Sequence, residues 1–231
     1  PEVPDLLVTI ERLLAKKRDL LGRKVVVTAG GTREPIDPVR YLTNRSSGKM
    51  GYAVAEAARD RGATVVLVSA AQLPPPSGIQ VVPVETALEM QAALQTAMAD
   101  SDVLVMAAAV ADYRVETVAE QKIKKAGEVL TLRLVENPDI VAGLAGHPAF
   151  KVGFAAETEH LLEHAVEKLR RKGLQMIVAN DVSLPGSGFG SDDNKVTILT
   201  ADGQREDLPL MSKRQVAEIL LDRIVERLPA K

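Results

Sequence analysis

Apolar runs of strand length recur along this chain, separated by segments of helical length, and that alternation restricts the fold more than any other feature. KVVVTA (24–29), TVVLVSA (64–70), DVLVMAAAV (102–110), KVGFAA (151–156) and QMIVAN (175–180) are continuous rather than alternating in polarity, as strands buried on both faces of a parallel sheet are. Helix-length stretches lie at 47–61, 86–99 and about 157–172, and a short IQVVPV run follows Pro74–Pro76. The closing segment, SKRQVAEILLDRIVERL, sets Val216, Ile219, Leu220 and Ile224 on one helical stripe. The expected fold class is α/β: a Rossmann-like, doubly wound, mostly parallel sheet.

Two segments interrupt the pattern. KIKKAGEVLTLRLVE (122–136) is expected to form a β-hairpin turning on Ala126-Gly127 and to project as an arm. NKVTILTADGQREDLPL (194–210) reads as a second hairpin, turning at Asp202-Gly203 on the sheet edge. Between strand and hairpin, SLPGSGFGSDDN (183–194) reads as a loop whose acids solvate a turn rather than hold a metal.

With 231 residues and 46% hydrophobic content the chain can bury one proper core. It has no cysteine, which excludes a disulfide framework, a thiol nucleophile and a cysteine-based metal site. A net charge of −2 gives no broad basic surface for nucleic acid, and no apolar run reaches membrane-spanning length. A cytoplasmic protein that binds something small is expected. The first residues, 1–21, form an amphipathic segment with a basic end and no secretory pattern. They read as a linker helix from something upstream, leaving 22–231 as the functional domain.

The chemistry concentrates in Lys24 to Gly51, KVVVTAGGTREPIDPVRYLTNRSSGKMG, where a strand, a glycine pair, a polar excursion and a second glycine loop precede a helix. Backbone N–H groups and a helix N-terminus placed this way can dock an anion. The run is not a P-loop: Thr43 stands where that motif needs glycine, and Met50 follows Gly48-Lys49. Nor is it a good dinucleotide fingerprint. Ser46-x-Gly48-x-x-Gly51 comes late after the strand, and the second strand ends in Ser69 rather than a ribose-binding acid. The plainer alternative is that Gly30, Gly31, Gly48 and Gly51 only permit turns and close helix packing.

His160-Leu-Leu-Glu163-His164 matches an inverted zinc-peptidase pattern. Leu161, Leu162, Ala165, Val166 and Leu169 make the expected buried stripe of that helix, so the polar trio falls on its flank and is not taken as a zinc site. Three histidines in the chain also disfavour nucleophile–histidine pairs and point to lysines, amides and backbone N–H groups. Lys122, Lys124 and Lys125 are either a charge-protected edge or a cationic arm for a polyphosphate. Asp112 follows a central strand, where it could accept from a hydroxyl, hold Mg2+ or cap a helix. Asn137-Pro138-Asp139 reads as a helix start with Pro138 at its first position, and Asn180-Asp181 closes another strand on the same rim.

DPVRYLTNRSSGKMG (37–51), AAAVADYR (107–114), KIKK (122–125), NPDIV (137–141), GFAAET (153–158) and ANDV (179–182), in that order, resemble the bacterial phosphopantothenoylcysteine synthetases from about Gly22 onward. Gly31 stands where many of that family carry proline. The resemblance implies a CTP-dependent ligase of coenzyme A biosynthesis that joins 4′-phosphopantothenate to L-cysteine through an acyl-cytidylate, with Mg2+ on the triphosphate. It implies Asn44 and Lys122 as catalytic residues. For CTP it implies Ser46, Gly48, Gly51, Asp112, Lys122, Pro138, Asp139, Ile140, Val141, Phe154, Lys168 and Lys172. For substrate it implies Arg40, Asn44, Ala108, Ala109 and Asp112, the arginine coming from a neighbouring subunit of a homodimer whose contact includes the arm. It further implies an upstream flavin-dependent decarboxylase, with no flavin in this domain. The alternatives are an NAD(P)-dependent oxidoreductase, disfavoured by Ser69 and by the lack of a catalytic Tyr-x-x-x-Lys, and a nucleotide-binding module without chemistry, disfavoured by the lysine arm and Asn44.

Overall fold

The computed structural model describes residues 17–125, 127, 129–157, 161–181 and 190–229, together with Leu6 and Ile10. In chain order the first elements are β1 (Lys24–Ala29), β2 (Arg33–Pro35), β3 (Tyr41–Thr43), α1 (Lys49–Asp60), β4 (Thr64–Ser69), β5 (Gln80–Pro83), α2 (Ala87–Ala97) and β6 (Val103–Met106). There follow β7 (Tyr113–Val115), β8 (Leu134–Glu136), α3 (Ile140–Gly143), β9 (Phe150–Glu157), α4 (Leu161–Arg171) and β10 (Met176–Asp181). The last are β11 (Asp193–Asn194), β12 (Val196–Thr200), β13 (Arg205–Asp207), β14 (Met211–Ser212) and α5 (Lys213–Val225). Among the described residues no helix is long and apolar enough to cross a membrane.

The main sheet runs β13-β12-β10-β9-β6-β1-β4-β5, parallel from β5 through β10 and antiparallel beyond. This is the expected doubly wound class. β1 pairs with β4 on one side and β6 on the other, so the chain reverses its winding there and the strand ends diverge into a crevice. Valines on β1 alternate between two cores: Val25 and Val27 join α1 and α5 on one face, while Val26 joins α2 and α4 on the other. The Ala-rich α1 lies close on the sheet, and Gly51 permits its closest approach. A Cβ at Gly51 would meet the Thr28 carbonyl oxygen at 2.6 Å and the Ala29 Cβ at 2.7 Å. Gly51→Ala is expected to lift α1 from β1 and cost about 1–3 kcal/mol, read as a lower urea midpoint with unchanged slope.

Several expected boundaries move. The run DVLVMAAAV leaves the sheet after Met106, and the next residues bond to the tail of β1 instead: Ala108 N–H donates to Thr28 Oγ1, Ala109 N–H to Gly30 O, and Ala111 N–H to Thr32 Oγ1. The divergence of β1 and β6 at the switch point leaves room for this. The arm is a longer hairpin than the 122–136 segment expected, running from Tyr113 to Glu136. Its returning strand β8 pairs with β7, and residues 122–125 form no strand, because the exposed lysines favour water over a shared ladder; Ala126 itself lies outside the described residues. Asp112 caps no helix, since β7 follows it directly. Pro138 precedes the helix rather than opening it: α3 starts at Ile140, and the Asp139 carboxylate accepts from Ala142 N–H as its cap.

The helix expected from 157 is α4, with Ala165 and Leu169 buried but Val166 exposed, a correction to the expected stripe. His160 and most of the 183–194 loop lie outside the described residues. The edge hairpin forms from β12 and β13. Most of the leading segment also lies outside the described residues, yet Leu20 is fully buried in the core and Arg61 binds the Asp19 carboxylate. The globular unit thus takes in residues just ahead of the expected boundary at 22.

Candidate active site

The crevice at the switch point opens into a cleft of about 900 Å³. One wall is the loop from Asn44 into α1, the floor is the strip from Met106 to Tyr113 with Gly153–Ala155 of β9, and the other wall is Glu136–Val141 with the end of α4. Gly48 takes φ 79° at the start of α1, a left-handed conformation that suits glycine, and no side chain caps the helix. A Cβ there would also sit 2.4 Å from the Ala71 Cβ. The first-turn N–H groups and the positive end of the helix dipole therefore face the cleft.

Charge defines what the cleft accepts. Among the described lining residues Arg45, Lys49, Lys168, Arg171, Lys172 and Lys213 outnumber Asp112, Glu136 and Asp139, so the cleft favours anions although the whole chain is not basic. Lys172 lies 3.3 Å from Asp139. Burial alone would raise the Asp139 pKa, but the Ala142 N–H bond and Lys172 together hold it below the ordinary carboxylate value. Lys168 Nζ donates to the Phe154 carbonyl at 3.2 Å, fixing one α4 lysine over the β9 end. Asn44 Nδ2 donates to the Val110 carbonyl at 3.1 Å, orienting its amide along the floor.

Most residues implied by the resemblance come together here: Asn44, Ser46, Gly48, Ala108, Ala109, Asp112, Pro138, Asp139, Ile140, Val141, Phe154, Lys168 and Lys172 all line the cleft. Three do not. Gly51 is packed on β1, as the approach of Thr28 and Ala29 requires, and supports the loop from beneath. Arg40 and Lys122 lie beyond the rim of a single chain; Arg40 is held by Asp37 and donates to the carbonyl of Ile123, next to Lys122. Ser69 is buried, its Oγ accepting from Ala71 N–H at 3.1 Å, so the place of a ribose-binding acid is a turn closure.

The sequence reading missed Lys213 and Asn194, both nearly fully buried and both in the lining. Lys213 opens α5 directly after its N-cap Ser212, inside the Ser212–Gln215 capping box, and donates to the carbonyls of Ser191 and Asp193. Burial and the neighbouring Lys49 lower its pKa. A lysine in the first turn opposes the helix dipole, and that local conflict was the available signal. Asn194 carried none: only tertiary packing puts its amide against Met50 Sδ, 3.7 Å away.

Residues 20–228 match the family model described as the DNA/pantothenate metabolism flavoprotein C-terminal domain. The chain is 50% identical over 220 residues to the coenzyme A biosynthesis bifunctional protein CoaBC of Escherichia coli (strain K12), covering 92% of this chain and 54% of that protein. It is 46% identical over 209 residues to CoaBC of Bacillus subtilis (strain 168), at 89% and 52% coverage. The chain thus spans about half the length of these curated relatives. The crystal structure of the C-terminal domain of a CoaBC protein superposes with a TM-score of 0.78 at 40% identity, covering 91% of this chain and 97% of that one. A Cab2 mutant in complex with phosphopantothenate-cysteine shares the fold, with a TM-score of 0.71 at 18% identity over 98% of this chain and 94% of that one. With its switch-point cleft, its cationic lining and a match over nearly its whole length, this chain belongs to the DNA/pantothenate metabolism flavoprotein C-terminal domain family.

Proposed function

We propose that this chain is a phosphopantothenoylcysteine synthetase, joining 4′-phosphopantothenate to L-cysteine at the expense of CTP in coenzyme A biosynthesis. The observation that carries the reading is the cleft itself: a helix N-terminus without a side-chain cap and six lining cations at the switch point of the sheet, a receptor for a triphosphate and a phosphorylated acid together. In the first half-reaction a pantothenate carboxylate oxygen attacks the α-phosphorus of CTP, and the bond to pyrophosphate breaks. In the second the cysteine amine attacks the acyl carbon, loses a proton, and CMP leaves with the bonding pair.

The residues divide this labour. Ser46, Gly48 and the start of α1 hold phosphate, with Lys168 and Lys172 on the opposite wall. Lys122 neutralises charge as the cytidylate forms, and Asn44 holds the acyl-cytidylate for amine attack. Mg2+, when bound, would neutralise part of the triphosphate charge. Asp112, the carboxylate lining the cleft floor, would be the side chain to share that ion.

We further propose a homodimer with shared sites. Val39, Tyr41, Tyr113, Val118, Val129, Leu130 and Leu134 are exposed on the β2–β3 hairpin and on the adjoining β7–β8 hairpin with its arm, a set that a second copy would cover. Arg40 would then reach the neighbouring cleft. Mixing Arg40→Gln with Asn44→Asp chains should regenerate activity, since one site of each hybrid dimer is intact; no recovery would argue against sharing. An upstream flavin-dependent decarboxylase in the full-length protein and a cytoplasmic setting belong to the same reading.

The deciding assay measures pyrophosphate released from CTP. Release that requires 4′-phosphopantothenate and couples to amide formation on adding cysteine is expected, with ATP a poor substitute. Binding of CTP without release would leave a nucleotide-binding module.

A further inference from the structure

We propose that Asp37 is a positioning residue, one that fixes the Lys122 arm and Arg40 together and so sets the reach of both toward the reacting phosphates. This rests on the ligase reading for its catalytic meaning, but the contact itself is independent of it. The Asp37 side chain is fully buried in a hairpin turn that otherwise faces water. Its two oxygens have separate duties. Oδ1 accepts from the Val39 and Arg40 backbone N–H groups at 2.8 and 2.9 Å, which closes the turn between β2 and β3. Oδ2 accepts from Arg40 Nε at 2.9 Å, from Arg40 Nη2 at 2.5 Å and from the Ile123 N–H at 3.1 Å. Arg40 Nη2 also donates to the Ile123 carbonyl at 2.7 Å. Both backbone polar groups of Ile123, the residue after Lys122, are thus held by one carboxylate–guanidinium pair.

A turn needs only the first oxygen, as an aspartate that opens a tight turn commonly does. The second, besides binding the Arg40 guanidinium, serves a segment 86 positions further on. Residues 122–125 belong to no strand, so this clasp and the Ala119 N–H bond to Ile36 O supply the order a ladder would otherwise give. Burial by itself would raise the Asp37 pKa; the bonds from Arg40, Val39 and Ile123 overturn that and hold it far below the ordinary carboxylate range. The carboxylate stays charged at any pH at which an enzyme of this kind works.

The two-oxygen division supplies its own test. In Asp37→Asn the amide oxygen can keep the turn bonds, but its NH2 then faces the Ile123 N–H and the Arg40 guanidinium, donors against donors. Amide hydrogen exchange, read residue by residue on the full chain, should quicken at Ile123 and stay unchanged at Val39 and Arg40. The rate of pyrophosphate release should fall on the order of tenfold to a hundredfold, as misplacement of a reacting group by about 1 Å does, with thermal stability little altered. Asp37→Glu, which keeps the charge, should recover part of the rate.

Unchanged exchange at Ile123 would overturn the clasp. Equal loss of protection at Val39 and Ile123 with a lower melting temperature would reduce Asp37 to a turn residue. Lost Ile123 protection with full catalytic rate would overturn the positioning role. If the unaltered chain protects Ile123 yet releases no pyrophosphate, the clasp stands and the ligase reading alone is lost.

Discussion

Lys122→Gln is expected to remove pyrophosphate release almost completely, by about 10²- to 10³-fold, the usual cost of deleting one donor aimed at developing charge, about 2.7–4 kcal/mol. The substitution keeps most of the stem and removes the cation. Lys122 is exposed in the free chain and belongs to no strand or helix, so the fold has little to lose. A structural explanation for lost activity is thereby excluded in advance. The loss should fall mainly on the maximal rate, with the Michaelis constant for CTP raised less, because the charge to be met grows as the α-phosphorus is attacked. Lys124→Gln, two residues along the same exposed segment, is the natural comparison and should stay within about threefold. Equal losses in the two variants would mean that the arm contributes diffuse positive charge rather than one placed cation.

Asn44→Asp should separate the half-reactions. The amide Nδ2 that donates to the Val110 carbonyl becomes an oxygen that cannot donate, and in the proposed mechanism a negative charge would face the developing oxyanion. Pyrophosphate should still appear in a burst near one equivalent per site, while amide formation slows by about 10²-fold or more, so that acyl-cytidylate accumulates and can be trapped by rapid quenching. Losses of the same size in both half-reactions would contradict the division between Asn44 and Lys122. So would an absent burst with normal CTP affinity.

Much of this molecule is legible from its residues taken in order. Continuous valine-rich runs can only be buried on both faces, and their alternation with helical segments leaves few arrangements other than a doubly wound sheet. The strand ends then designate one rim, and that rule alone points to Asp112, Asn137 and Asn180. Asn44, Ser46, Gly48, Lys168 and Lys172 came from ordered motifs and do meet in one cleft. Gly51 belonged to the same motif but proved to be a spacer, because the motif cannot distinguish a glycine that faces a ligand from one that faces β1.

The arm shows where local reading stops. Ala126-Gly127 has the composition of a hairpin turn, yet the strand that returns at Leu134–Glu136 found Tyr113–Val115 as its partner, a pairing between distant segments that no local pattern encodes. Lys213 and Asn194 enter the cleft for the same reason, carried there by α5 and β11 from far along the chain.

The order of residues is enough for the class of sheet, the rim of strand ends and the family to which the chain belongs, because burial periodicity and ordered motifs are local properties. The tertiary structure alone decided which of those residues share one cleft, that the cleft is cationic in a chain of net charge −2, and that Asp37 holds Ile123. Those depend on long-range packing, where a carboxylate's second oxygen finds its donor 86 residues away.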